Sequence, residues 1–148
     1  MQRITRILLV LMVCCSLALA QTVVPYRLLS SRESTPGSIK EFDYNVSVDQ
    51  NLDVAAVKRV ICQLVQSEKP VASEVLSIGI YFKLNEYIPE NERDVKDSAE
   101  HRAHRIAQYH WNKDSPKDSR RLVLTKDSKG QSLSDWRFYD FNHEKSCR

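Results

Sequence analysis

The sequence predicts an α+β domain: one helix packed on a mainly antiparallel sheet of four to five strands, in the order strand, helix, strand, strand, hairpin. Three observations predict it. Residues 40–48 alternate apolar and polar side chains, residues 52–66 carry an apolar stripe at helical spacing, and two β-rich runs, 120–126 and 133–141, flank the turn sequence Asp127-Ser128-Lys129-Gly130. A period of two marks a strand with one buried face, and a period near 3.6 marks an amphipathic helix. Grouping by type along the chain, with no regular βαβα alternation, points to α+β layers.

The elements follow in chain order. Residues 1–20 begin with Arg3 and Arg6, continue as an uncharged apolar run and end in Ala18-Leu19-Ala20. A basic start, a short apolar core and small residues at the cleavage positions describe a secretory signal peptide. The apolar run of about 14 residues is short of the ~20 that a spanning helix needs. Cys14 and Cys15 raise lipid attachment, but neither follows the small residue a bacterial lipoprotein carries there. Residues 21–38 read as a lead-in segment or edge strand that Pro36-Gly37 breaks, and a single domain with a C-terminal tail then runs over 39–148.

In 40–48, Phe42, Tyr44, Val46 and Val48 alternate with Asp43, Asn45 and Ser47, and Asn45-Val46-Ser47 is also a glycosylation sequon. In 52–66, Val54, Val57, Val60, Ile61, Leu64 and Val65 form the stripe, with Asn51 or Asp53 able to cap its start and Pro70 to stop it. Residues 75–84 are rich in β-formers and read as a central strand, with Gly79 marking a bulge or a close backbone approach. Residues 85–100 are charged and read as a solvated connection. Residues 101–112 fit two readings. As a helix, Ala99, Ala103, Ile106, Ala107 and His110 share a face; as a strand, Ala103, Ala107, Tyr109 and Trp111 share a side with Arg105. The aromatic end and the Asn-Lys-Asp-Ser-Pro turn after it favour the strand. Residues 120–126 and 133–141 make the hairpin, with Trp136, Phe138 and Asp140 alternating with Arg137, Tyr139 and Phe141.

The run F-D-Y-N-V-S-V, the helix L-D-V-A-A-V-K-R-V, the link K-P-V-A-S-E, the strand S-I-G-I-Y-F and the closing Y-H-W resemble a small family of exported or phage-borne bacterial domains of unknown function. The resemblance covers residues 40–112, with Trp136-Arg137-Phe138 matching a final strand. It implies a strand over 103–111 and carries no activity, ligand or catalytic residue. Where that family has a short Gly-rich turn, this chain has the charged insert 85–102.

Charge and cysteine usage bound the function. The 148 residues include 22 basic and 19 acidic side chains, a net charge of +3. Loss of the signal peptide removes Arg3 and Arg6, leaving 20 basic residues against 19 acidic and two of the four cysteines. Cys62 and Cys147, alone in an exported chain, predict one disulfide. Cys62 lies on the helix flank beside Lys58 and Gln66, within reach of the C-terminal tail. Closing that loop contributes about 4.6 kcal/mol by the chain-entropy estimate.

Catalytic and metal motifs are weak. Glu100, His101 and His104 put three potential ligands close together, but Arg102 and Arg105 flank them with positive charge and no second cluster waits elsewhere, so a solvated polar face is expected and no metal. Glu90/Glu92 and Asp94/Asp97 read as loop acids. The basic tract of Lys113, Lys117, Arg120, Arg121, Lys126 and Lys129 is interleaved with Asp114, Asp118 and Asp127, which argues against nucleic acid. Most of the large aromatics of the C-terminal half, Tyr109, Trp111, Trp136, Phe138, Tyr139 and Phe141, are expected in the core. Tyr109, Trp111, Trp136 and Tyr139 are the candidates from which an exposed subset would bind a sugar or a protein partner. The sequence thus points to a non-catalytic binding or interaction module of the cell envelope or extracellular space, with an unknown protein or glycan partner, no cofactor, and no transmembrane segment after signal cleavage. The alternative is a small exported hydrolase using His101, His104, His110 and nearby acids.

Overall fold

The computed structural model describes residues 23–70, 74–114 and 120–148. The expected signal peptide lies outside them. Among the described residues, six strands form one sheet in sequential order: β1 (Arg27–Ser34), β2 (Glu41–Val48), β3 (Val75–Phe82), β4 (Arg105–Asn112), β5 (Arg121–Lys126) and β6 (Ser132–Asp140). Only the β2–β3 pair is parallel. A parallel pair needs a long crossover, and α1 (Val54–Glu68) provides it. A 3₁₀ turn (Glu90–Glu92) and α2 (Val95–His104) separate β3 from β4, and α3 (His143–Ser146) follows β6.

Local chemistry sets the element ends. Asp53 caps α1, its carboxylate accepting from Ala56 N at 2.7 Å, which satisfies one of the helix's free donors. Lys69 ends α1 in the left-handed conformation, with its N–H donating to Val65 O at 3.0 Å. Asp94 and Asp97 form a reciprocal capping box at the start of α2. In the β5–β6 turn, the Asp127 carboxylate accepts from Lys129 N and Gln131 N, both at 2.9 Å, and Gly130 takes φ +78°.

The core lies between α1 and one face of the sheet. Val57, Val60, Ile61 and Leu64 of α1 are fully buried with Val46, Leu76, Ile78, Ile80, Ala107, Tyr109 and Leu122. Each large aliphatic side chain buried this way contributes roughly 1.5–3 kcal/mol. Cys62 and Cys147 are joined, with Cα atoms 5.0 Å apart, and Gln66 Nε2 donates to Cys147 O at 2.9 Å. The chain's end is thus fastened to the flank of α1.

The expected fold class is corrected. The sheet has six strands, not four or five, it dominates the architecture, and the single helix is joined by two short ones and a 3₁₀ turn. The lead-in of 21–38 contains β1, a full strand paired with β2 from Arg27↔Ser47 to Ser34↔Glu41. As an edge strand it is largely exposed on both sides, so it shows no alternation. Residues 85–100, expected as a solvated connection, hold the 3₁₀ turn and the first part of α2. The ambiguous 101–112 is divided: α2 runs to His104 and β4 starts at Arg105. Ala99 and Ala103 of the helical pattern lie in α2, and Arg105, Ala107, Tyr109 and Trp111 of the strand pattern lie in β4.

Candidate binding groove

The face of the sheet away from α1 is polar. Register aligns two rows across it. One runs Ser30, Asn45, Gly79, Gln108, Val123, Phe138; the other runs Arg32, Asp43, Ser77, His110, Arg121, Asp140. Alternation places these side chains opposite the core positions. The segment after β3 folds back over this face, so Tyr87, Pro89, Glu90 and Asn91 form a wall beside Tyr81. The groove between wall and sheet has a volume of about 830 Å³.

Gly79 is what lets Asn45 and Tyr81 close together across the floor. A Cβ there would stand 2.5 Å from Asn45 Oδ1 and 2.8 Å from Tyr81 Cε2. Asn45 is buried, and its Nδ2 donates to Ser30 Oγ at 3.0 Å. The sequon at Asn45 therefore presents no accessible amide in the folded chain. A bulge between Ile80 and Tyr81 brings Tyr81 opposite Arg105.

An aromatic cluster supports the wall. Tyr81, Tyr87 and His101 meet edge to face, with centroids 5.8 Å (Tyr81–Tyr87), 6.1 Å (Tyr81–His101) and 5.4 Å (Tyr87–His101) apart, the geometry aromatic quadrupoles favour. The Arg93 guanidinium lies 4.8 Å from the Tyr87 ring centre. Burial pushes the Tyr81 hydroxyl up to about 12, with Tyr87 adding to the effect and Arg93 and Arg105 opposing it. Tyr81 is therefore a protonated donor at neutral pH.

The histidines do not converge. His101, expected on a solvated face, is buried. Its Nε2 accepts from Ile88 N at 3.1 Å and its Nδ1–H donates to Asp97 O at 2.7 Å, so both ring nitrogens are engaged in holding the wall to α2. His104 Nδ1 donates to Phe82 O. His110, at the far end of β4, is 3.2 Å from Ser77 Oγ. Of the acids, Asp94 and Asp97 are spent on the capping box, and Glu90 faces Arg93 at 3.8 Å.

The candidate binding aromatics separate. Tyr109 and Trp111 are core residues and offer no surface, which corrects their expected role. They fall on the inner face because β4 alternates in register with Ile78 and Leu76. Tyr139 packs half-buried against the core. Trp136 is 59% exposed on edge strand β6, beside Phe138 at 58%, with the Arg121 guanidinium 5.7 Å from the Phe138 ring centre. Sequence reasoning missed Asn45, Tyr81, Arg93 and Gln108. The signal available was Gly79 inside a strand followed by a tyrosine of the opposite parity to the apolar residues.

Fold and site together describe a disulfide-fastened sheet with one face closed by a helix and the other open as a polar platform. No protein-family model, curated protein or solved structure matches the chain. No helix among the described residues is long and apolar enough to cross a membrane.

Proposed function

We propose that the protein is an exported, non-catalytic binding module of the cell envelope or extracellular space, and that the groove on its open sheet face takes a glycan. The observation that carries the reading is the groove's composition. The Gln108 side-chain amide, the Ser77 hydroxyl and the Asp43 carboxylate line its floor above the buried Asn45, with the rings of Tyr81 and Tyr87 on one wall. Sugar hydroxyls pair with such amides and carboxylates, and the apolar faces of sugar rings rest on tyrosines, while a few placed polar groups fix orientation. The basic, then apolar, then small-residue N-terminus supports export, and so does the Cys62–Cys147 pair, since disulfides persist in oxidising compartments.

A glycan array followed by titration calorimetry tests the reading. The expected result is a saccharide hit whose affinity falls roughly ten-fold in Gln108→Ala or Asp43→Ala, the loss of one or two hydrogen bonds. A hit that neither substitution weakens, or one that depends on Trp136 instead, overturns it.

A further inference from the structure

A second cavity of about 400 Å³ adjoins the groove, sharing Tyr81, Glu90 and Arg105 with it and adding Arg93, Ser98, His101 and Arg102. Three guanidinium groups face this space against one carboxylate. Arg93 is the unusual member. Its side chain is only 9% exposed. Its Nε donates to Ile88 O, and its Nη1 is 3.8 Å from Glu90 Oε1, beyond hydrogen-bonding distance. Its Nη2 is buried with no hydrogen-bond partner, while the guanidinium elsewhere meets the Tyr81 hydroxyl and opposes the rise in its pKa. A buried guanidinium donor left unpaired is costly, and such groups are ordinarily matched by a carboxylate or another oxyanion. The Glu90 side chain is 85% exposed and poorly placed to fill that role.

From this we infer that the basic cavity is an oxyanion subsite, and that the ligand of the groove is an acidic saccharide whose carboxylate or sulfate enters it. The inference rests on the groove reading above and adds the charge of the ligand. Arg93 supplies a fork that packing over Tyr87 and the bond to Ile88 hold rigid. Arg105, at the junction of the two cavities, and Arg102, at the rim of α2, complete the charge. A planar guanidinium fork suits bidentate pairing with either oxyanion. Glu90 competes with the ligand for Arg93.

The test is NMR of the arginine Nε–H groups with calorimetry, using sodium acetate, sodium sulfate, glucose and glucuronate as probes. Acetate or sulfate is expected to shift the Arg93 Nε–H resonance, and which of them binds tighter identifies the oxyanion. Glucuronate is expected to bind at least ten-fold tighter than glucose. Arg102→Gln and Arg105→Gln, both outside the core, should each weaken anion binding roughly ten-fold, the share of one charge-assisted hydrogen bond. Glu90→Gln, at an exposed position, should tighten it. If the anions bind through Arg102 and Arg105 while Gln108→Ala leaves glucuronate affinity unchanged, the subsite stands and the groove reading falls. If glucose binds through Gln108 while no anion moves Arg93 and Glu90→Gln tightens nothing, the subsite is overturned.

Discussion

His143 Nδ1 lies 2.9 Å from the hydroxyl of Tyr109, a contact that spans 34 residues of sequence. Burial holds the Tyr109 hydroxyl well above its usual range, so it stays protonated, and it also meets Phe141 O at 3.4 Å. The same imidazole stands edge to face against Trp111, with centroids 4.9 Å apart. It plugs the core beneath α3, and the Cys62–Cys147 bond secures the other end of that short helix. Burial lowers the His143 pKa from its ordinary 6.5, with Glu144 opposing the effect.

This contact gives stability a pH dependence. A histidine whose folded pKa is depressed binds fewer protons folded than unfolded between the two pKa values, so stability rises with pH there. The His143 contribution is complete above about pH 6.5 and declines as pH falls from there through the lower folded value. Urea denaturation at pH 7.5, 6 and 5 should show the decline, and His143→Gln should flatten it. An unchanged slope in that variant would assign the pH dependence to another group.

Breaking the disulfide should release α3. The bond closes a loop with a sequence separation of 85, and removing such a bond from a small domain costs about 2–5 kcal/mol. Urea midpoints with and without a phosphine reductant, and in Cys62→Ala/Cys147→Ala, measure the loss. The reduced protein should also lose the His143 component of the pH slope, because the plug is no longer tethered.

Gly79→Ala should be destabilising although alanine suits a strand better than glycine. The new Cβ would press on Asn45 Oδ1 and the Tyr81 ring, and overpacking of this kind costs about 1–3 kcal/mol. Combining it with Asn45→Ala should recover part of the cost, giving a coupling between the two sites in a double-mutant cycle. Additive effects would mean that Asn45 is not what the methyl meets.

Lys69→Gly should stabilise the protein. Lys69 adopts φ 45° at the end of α1, a conformation that costs a side-chain-bearing residue about 1–2 kcal/mol and glycine nothing. Part of that gain returns to the unfolded chain as entropy, leaving about 0.5–1 kcal/mol. Thermal unfolding of the variant checks the sign.

The inner face of the molecule was legible in the sequence. Phe42 to Val48 show one buried face, the Val57–Leu64 stripe shows the helix that covers it, Asp53 and Asp127 mark a cap and a turn, and Cys62 and Cys147 are the two cysteines outside the apolar N-terminal run. All of these are local signals, because burial on one side imposes a period and backbone termini demand particular side chains. The outer face was not legible. β1 has no apolar period because its place at the sheet edge is fixed by backbone hydrogen bonds to β2. Asn45 and Ser47, polar and at solvent parity, are buried all the same. Which of the aromatics are core and which exposed was not legible either, until register set Tyr109 and Trp111 opposite Ile78 and Leu76 and left Trp136 on the edge strand. The charged segment after β3 carries no sign that Tyr87 and Arg93 will close against Tyr81 and His101. Those contacts join residues whose chemistry is unremarkable alone, and only the return of the chain over the sheet gives the buried Arg93 a cavity to face.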